Sequence, residues 1–196
     1  MKNQNKRVIP KICVLIGLCL LVIGVFVLIS WQWNIYASMK KSEAYVHTIL
    51  NSIPETQGAV LENRRDNRMS IFSVNETDFI GILEMPQYKS VLPVCNEWGK
   101  LTKYPCRFNG SVYDRTMQIG LTSQKGQYDF FRDISIEDTV LFTDMEGNSY
   151  TYLVKHLRYE KHADLNTLNR EKSDLTIFIK NVYDFEYLIV SCKIAN

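Results

Sequence analysis

The stretch "SDLTIFIKNVYDFEYLIVSCK", residues Ser173–Lys193, holds two apolar runs separated by a short polar break. Both runs are rich in β-branched and aromatic residues, and polar residues bound them, which is the pattern of two consecutive strands. The first run, "LTIFIK", ends on Lys180. The stretch therefore predicts two β-strands close to the C-terminus, with a charged residue at the end of the first.

Runs of the same character precede this stretch. They are Asp78–Met85, Ser90–Cys95, Met117–Thr122, Asp138–Asp144 and Tyr150–Tyr159. The segment "TDMEGNSY" between the last two predicts a hairpin, because Gly147 and Asn148 can take a positive φ. About seven short strands without long helical patterns between them predict an all-β barrel or sandwich, and periodicity does not choose between the two.

The N-terminal region has a different composition. From Ile12 to Trp31 the chain carries 20 residues without a charge, and at ~1.5 Å per residue this run spans the ~30 Å hydrocarbon core of a bilayer. We predict an uncleaved transmembrane anchor at 12–33, rather than a secretory signal cleaved near Ala37 and Ser38, whose apolar run would be shorter. Basic residues crowd the segment before it, at Lys2, Lys6, Arg7 and Lys11. The positive-inside rule then makes 1–11 a cytoplasmic tail of a single-pass cell-membrane protein and places everything after the anchor outside the cytoplasm.

The segment 34–54 predicts a juxtamembrane helix. Its apolar residues Val46, Ile49, Leu50 and Ile53 have the spacing of one helix face, and Pro54 ends the pattern. Residues 55–77 are polar and charged with little periodicity, which indicates a linker. The β-domain then occupies 78–196.

Composition excludes two classes of function. The net charge is +2, and the N-terminal tail alone carries four basic residues, so the rest of the chain is slightly negative. No basic patch is interleaved with aromatic residues, so we expect no nucleic-acid binding. The spacing of the histidines and cysteines fits neither a metal site nor a redox motif. We therefore expect no metal and no cofactor.

The five cysteines have separate predicted roles. Cys13 and Cys19 lie within the apolar N-terminal run, and Cys192 lies in the last predicted strand, where small apolar packing is the ordinary role. Cys95 and Cys106 flank "NEWGKLTKYP". An extracytoplasmic location permits a disulfide between them, and two buried free thiols are the alternative.

Four segments together resemble a known family. In order, "FIGILEMPQYKSVLPV", "FFRDISIEDTVLFTDMEGNSYTYLV", "DLTIFIKN" and "EYLIVSCK" resemble consecutive strands of the sortases, the membrane-anchored cysteine transpeptidases of Gram-positive bacteria. The resemblance covers Asp78–Lys193 and the N-terminal anchor. It implies a mainly β fold, an eight-stranded sortase-like β-barrel preceded by a single N-terminal transmembrane helix.

The resemblance also identifies three positions for chemistry. In the family a cysteine attacks a Leu-Pro-x-Thr-Gly sorting signal, a histidine protonates the leaving amine, and an arginine stabilises the oxyanion or holds the substrate. Here the histidine position is Thr122 and the cysteine position is Lys180. The arginine position is Glu186, or Tyr187 if the register slips by one. The resemblance thus implies a divergent member without the His, Cys and Arg triad.

Three hypotheses follow from these replacements. The first is a catalytically degenerate protein at the outer face of a Gram-positive cell membrane, which binds or assembles sorting-signal peptides or surface proteins. The second is an active sortase with an atypical catalytic set, and the third is a structural scaffold. Lys180 and Glu186 then act in ligand binding, in catalysis, or only as an ordinary surface ion pair.

Overall fold

The computed structural model describes residues 16–30, 33, 45–54, 57–58, 68–123, 129–181 and 186–195. The chain divides into two compact units, Met1–Lys40 and Lys41–Asn196. In the first unit, residues 16–30 and 33 are helical. Among the residues described, no helix is both long enough and apolar enough to cross a membrane. The predicted tail 1–11 and the remainder of the predicted anchor 12–33 lie outside the described residues.

The second unit is built from β-strands. In chain order they are β1 (Gln57–Gly58), β2 (Phe72–Val74), β3 (Thr77–Met85), β4 (Ser90–Cys95), β5 (Cys106–Asn109), β6 (Met117–Ser123), β7 (Thr139–Asp144), β8 (Asn148–Glu160), β9 (Leu175–Asn181) and β10 (Tyr187–Ile194). Short 3₁₀ turns at Pro86–Tyr88, Trp98–Lys100 and Asp129–Arg132 connect some of them. A four-residue helix, Leu165–Leu168, lies between β8 and β9.

Eight of these strands close into a barrel. The sheet runs in the order β8-β10-β9-β6-β5-β4-β3, and β7 pairs with β3 on one side and with β8 on the other. The pairs β6 with β9 and β4 with β5 are parallel, and the other pairs of the barrel are antiparallel. The structure confirms the predicted mainly β, eight-stranded barrel.

Strand β9 shows how the sequence forms the barrel wall. Successive strand side chains point to opposite faces, and here Leu175, Ile177 and Ile179 belong to the buried interior cluster. Phe178 belongs to a separate small cluster with Leu168 and Ile189. The apolar alternation therefore fills the barrel interior, and the intervening residues of β9 face outward.

The segment before the barrel packs against it. Residues 45–50 are helical, and Ile49 is fully buried in a cluster with Phe79, Ile82 and Tyr104. Leu50, which the predicted helix face also includes, is 47% exposed. Residues 34–44 of the predicted juxtamembrane helix lie outside the described residues, and the predicted linker 55–77 contains the short strands β1 and β2.

The predicted strands are all present, with ends that differ from the expected ones by at most two residues. The hairpin between β7 and β8 also forms, with Gly147 at φ 87° and Asp144 accepting the backbone N–H groups of Glu146 and Asn148. The barrel strand absent from the predicted set is β5, "CRFN", which is short and half polar. Its place in the barrel comes from pairing with β4 and β6 and not from its own composition.

We expect Gly81→Ala to destabilise the barrel strongly. Gly81 sits at a bulge of β3, and a Cβ there would overlap the Thr143 carbonyl oxygen and come within 2.7 Å of the Phe142 ring. Because backbone on the paired strand cannot move aside easily, the expected loss is about 3 kcal/mol or more of unfolding free energy. Denaturant unfolding measures it, with Gly99→Ala as the matched control, since a Cβ at Gly99 meets no atom within 4 Å. Equal stability of the two variants would contradict the close packing of β3 against β7.

Candidate functional site

The three positions singled out by the resemblance lie on neighbouring barrel strands. Thr122 of β6 is the ladder partner of Lys180 of β9, and Lys180 is the ladder partner of Tyr187 of β10. Directly opposite residues in a ladder point to the same face of a sheet. The preceding residues of β6 and β9, Leu121 and Ile179, belong to the interior cluster. Thr122, Lys180 and Tyr187 therefore form a row on the outer face of the barrel.

The register places one of the two alternatives for the third position opposite Lys180. Tyr187, and not Glu186, stands opposite Lys180. Glu186 lies one residue before β10 begins and is half-buried. The row therefore pairs the lysine with a phenol on its neighbouring strand.

The side chains of the row have defined surroundings. The Thr122 hydroxyl donates a hydrogen bond to the backbone carbonyl of Leu101 at 3.2 Å. The Nζ of Lys180 lies 6.0 Å from the centroid of the Tyr187 ring, at the outer limit of an attractive cation–π contact. The row thus presents a hydroxyl already bonded to the backbone, a cation and an aromatic ring.

The cysteines of the barrel lie elsewhere. Cys192 is fully buried in the interior cluster, and burial raises the pKa of its thiol. Cys95 and Cys106 are free, fully buried and packed together under Ile49 and Tyr104. A buried neutral thiol such as that of Cys192 is a poor nucleophile, and none of these three cysteine side chains is part of the Thr122 row.

The histidines His156 and His162 are not part of the row either. His156 is exposed on β8, opposite Ser191 of β10. His162 is exposed and lines a cavity of about 440 Å³. The cavity lies between the end of β8, the helix Leu165–Leu168 and the start of β10, and its lining is Tyr159, Glu160, Lys161, His162, Asp164, Thr167 and Glu186. Glu186 therefore faces a charged cavity beside the row.

The carboxylates of this cavity serve structural roles as well. Asp164 caps the short helix by accepting the Thr167 backbone N–H at 2.8 Å, and this hydrogen bond lowers the pKa of the Asp164 carboxyl. Glu160 forms ion pairs with Arg158 and Arg170. Among the described residues, no cluster of histidine, cysteine and carboxylate side chains could hold a metal ion.

An aromatic cluster adjoins the row on the outer face. The ring centroids of Trp98 and Phe108 are 4.9 Å apart, and those of Trp98 and Phe178 are 5.9 Å apart. Phe178 continues the cluster to Tyr187 at 6.5 Å. Trp98 is 40% exposed and Phe108 is 37% exposed. The face therefore offers apolar, partly solvated rings beside one cation, which suits a ligand with both apolar and polar groups.

The backbone of β6 makes room for this cluster. A Cβ at Gly120 would lie 2.6 Å and 2.7 Å from ring atoms of Trp98 and 2.9 Å from Phe178. Sequence reasoning missed this cluster because Trp98 comes from a 3₁₀ turn and Phe108 from the unpredicted strand β5. The glycine among the apolar residues of β6 was the available signal, since such a glycine marks a close approach.

Comparison with solved structures identifies the fold. The chain is similar to sortase C1 from Streptococcus agalactiae, with a TM-score of 0.51 and 15% identity over 63% of this chain and 71% of that one. It is also similar to sortase A from Corynebacterium diphtheriae, with a TM-score of 0.51 and 13% identity over 82% of this chain and 83% of that one. No family model matches the sequence, and no curated protein matches it. At this identity the likeness shows the fold alone, which is sortase-like.

We expect Gly120→Ala to displace Trp98 from the barrel wall. The new methyl group occupies space that the indole now fills, so the ring turns outward at a cost of about 1 kcal/mol. The three tryptophans are Trp31, Trp33 and Trp98, so a Trp31→Phe, Trp33→Phe background reports on Trp98 alone. Acrylamide quenching of its fluorescence should increase. Thr122→Ser on the same strand, which keeps the hydroxyl, should leave quenching unchanged, and unchanged quenching in Gly120→Ala would contradict the contact.

Proposed function

We propose that this chain is a sortase-like protein that binds an extended peptide of the sorting-signal type without cleaving it. The observation that carries the proposal is the row itself. The resemblance assigns its histidine and cysteine positions to Thr122 and Lys180, and these lie in register on β6 and β9. The row therefore supports a site in which the two assigned positions lie side by side on the sortase-like barrel. Their side chains are those of threonine and lysine, and not of histidine and cysteine.

The chemistry of the row favours binding over cleavage. An amine attacks a carbonyl only in its neutral form, and the Lys180 contact with the Tyr187 ring is of the kind that attracts a cation. Thr122 cannot protonate a leaving amine near neutral pH as an imidazolium can. Loss of one member of a catalytic set costs orders of magnitude in rate, and here each assigned position differs.

The outer face supports the peptide as ligand. On the outer face of β6, β9 and β10, Trp98 and Phe108 form one border. Leu168, which packs in a cluster with Phe178, forms the other. Aromatic rings bind apolar side chains of an extended peptide, and the ammonium of Lys180 accommodates a carbonyl or carboxylate.

The proposal includes the location. The charge-free run Ile12–Trp31 and the basic residues before it support an N-terminal anchor that holds the domain at the outer face of a Gram-positive cell membrane. At that location the ligand is a surface protein or its sorting signal.

The direct test uses the full chain in mild detergent with a quenched fluorescent Leu-Pro-x-Thr-Gly peptide and triglycine. We expect saturable binding and no cleavage above that of peptide alone. Lys180→Ala should weaken binding about fivefold to thirtyfold, the effect of losing one central contact. Lys155→Ala is the matched control, because Lys155 lies on β8, away from the row, and pairs with Glu137. Cleavage that disappears in Lys180→Ala would establish the active-enzyme alternative, and absence of binding would leave a scaffold.

A back-substitution tests the assignment of the positions. In a Thr122→His, Lys180→Cys background, Tyr187→Arg should give thiol-dependent cleavage of the same peptide about tenfold or more above the background alone. The reason is that position 187 faces the same side of the sheet as position 180. Glu186→Arg in that background is the matched control and should give less cleavage. A higher rate with Glu186→Arg would show that the arginine position is 186.

A further inference from the structure

The seam between β4 and β5 is the shortest contact between neighbouring strands of the barrel. One ladder pair, Cys95 with Cys106, joins the two strands, and the Cys95 N–H donates to the Pro105 carbonyl at 2.8 Å. The parallel pair β6 and β9, by contrast, is in register from Met117 to Ser123. Two cysteines therefore form the single ladder pair of this seam.

Both thiols are held close to each other in an apolar site. Cys95 and Cys106 are fully buried beside Ile49, Phe79 and Tyr104. The Cys95 sulfur accepts the Glu97 backbone N–H at 3.3 Å, and the Cys106 thiol donates to the Tyr104 carbonyl at 3.3 Å. Neighbouring strands lie about 4.8 Å apart, and a disulfide spans Cα atoms about 4.4–6.8 Å apart. The ladder spacing therefore suits a disulfide.

The two thiols are not equivalent. The neighbouring Cys106 thiol, which turns its S–H to the Cys95 sulfur once that sulfur is charged, lowers the pKa of Cys95, and the Glu97 N–H lowers it further against the opposing effect of burial. The same interaction and burial raise the pKa of Cys106. Because the thiolate is the reacting form in disulfide exchange, Cys95 is the sulfur that attacks first.

We propose that Cys95 and Cys106 are an oxidation site that forms a reversible disulfide across the β4–β5 seam, with a small-molecule or protein disulfide as the oxidant. The Cys95 thiolate attacks the donor disulfide, so that one donor thiol leaves and a mixed disulfide forms. Cys106 then loses its proton and attacks the Cys95 sulfur, and the second donor thiol leaves. The two cysteines lose two electrons and two protons in total, and the donor is reduced to two thiols.

The disulfide would hold one border of the outer face in place. It closes the segment 96–105, which carries Trp98 and Lys100. Lys100 already ties this segment to the start of β3, because its Nζ donates to the Thr77 hydroxyl at 3.1 Å and to the Glu76 carbonyl. The oxidised barrel therefore holds Trp98 over Gly120 more rigidly than the reduced one, whatever ligand the face binds.

The helix 45–50 packs in the same apolar cluster as the thiols. Ile49 is fully buried in that cluster, whereas its neighbour Leu50 is 47% exposed. Because both thiols are fully buried, oxidation of the folded protein requires the cluster to open, as it does when this helix lifts, or the disulfide to form before the helix docks.

The experiment oxidises the purified full chain in mild detergent with oxidised glutathione, then alkylates free thiols under denaturing conditions and maps the peptides by mass spectrometry. We expect a peptide joining Cys95 to Cys106 with two hydrogen atoms fewer, reversed by dithiothreitol, while Cys192 is alkylated. The thermal midpoint should rise by about 6 to 12 °C on oxidation, the effect of closing a short loop. Alkylation of both Cys95 and Cys106 after oxidation, or pairing of either with another cysteine, would overturn the proposal.

Two pairs of variants separate the disulfide from general stability. The double variant Cys95→Ala, Cys106→Ala should show no thermal shift on oxidation, and Cys192→Ala should keep the shift.

Ile49→Ala should speed formation of the linked peptide several-fold, whereas Leu50→Ala should not. Equal rates for these last two variants would overturn the role of the helix. The mass-spectrometric map of the unmutated chain decides the proposal even where a variant fails to fold. Its result does not depend on whether the outer face binds a sorting-signal peptide.

Discussion

The double pairing of β7, with β3 on one side and β8 on the other, turns the sheet into a closed barrel. Closure satisfies the backbone hydrogen bonds of strands that would otherwise be edges, and it assigns every strand residue to the interior or the exterior. The interior is then filled by one continuous apolar cluster that includes residues of β3, β4 and β6 to β10. Each feature of the outer surface depends on this division.

The row of Thr122, Lys180 and Tyr187 is a consequence of that division. Thr122 lies beside Lys180 and Tyr187, although it is distant from them in sequence, because parallel β6 and antiparallel β10 flank β9 in fixed register. A one-residue slip in either ladder would send one of them into the core. The apolar interior residues of these strands therefore fix the positions of Thr122, Lys180 and Tyr187, although their own side chains lie on the opposite face.

Much of the fold could be predicted from local pattern, and the exceptions have physical reasons. Strands such as β9 are rich in β-branched and aromatic residues and are bounded by polar ones, which a single sequence reveals. Strand β5 has four residues, of which only Cys106 is buried, so its composition does not distinguish it from a loop. The second apolar cluster was likewise hidden, because Ile49 and Phe79 come from a helix and a strand that meet only after the chain folds.

The sequence by itself determined the β-rich class and the likeness to sortases, and it predicted which positions correspond to the family's reactive residues. These follow from local composition and from the order of motifs along the chain. Tertiary structure decided which of Glu186 and Tyr187 stands beside Lys180, where the aromatic cluster forms and that Cys95 meets Cys106. The physical reason is that register and contacts across a barrel are set by the pairing of strands far apart in sequence, which no local pattern encodes.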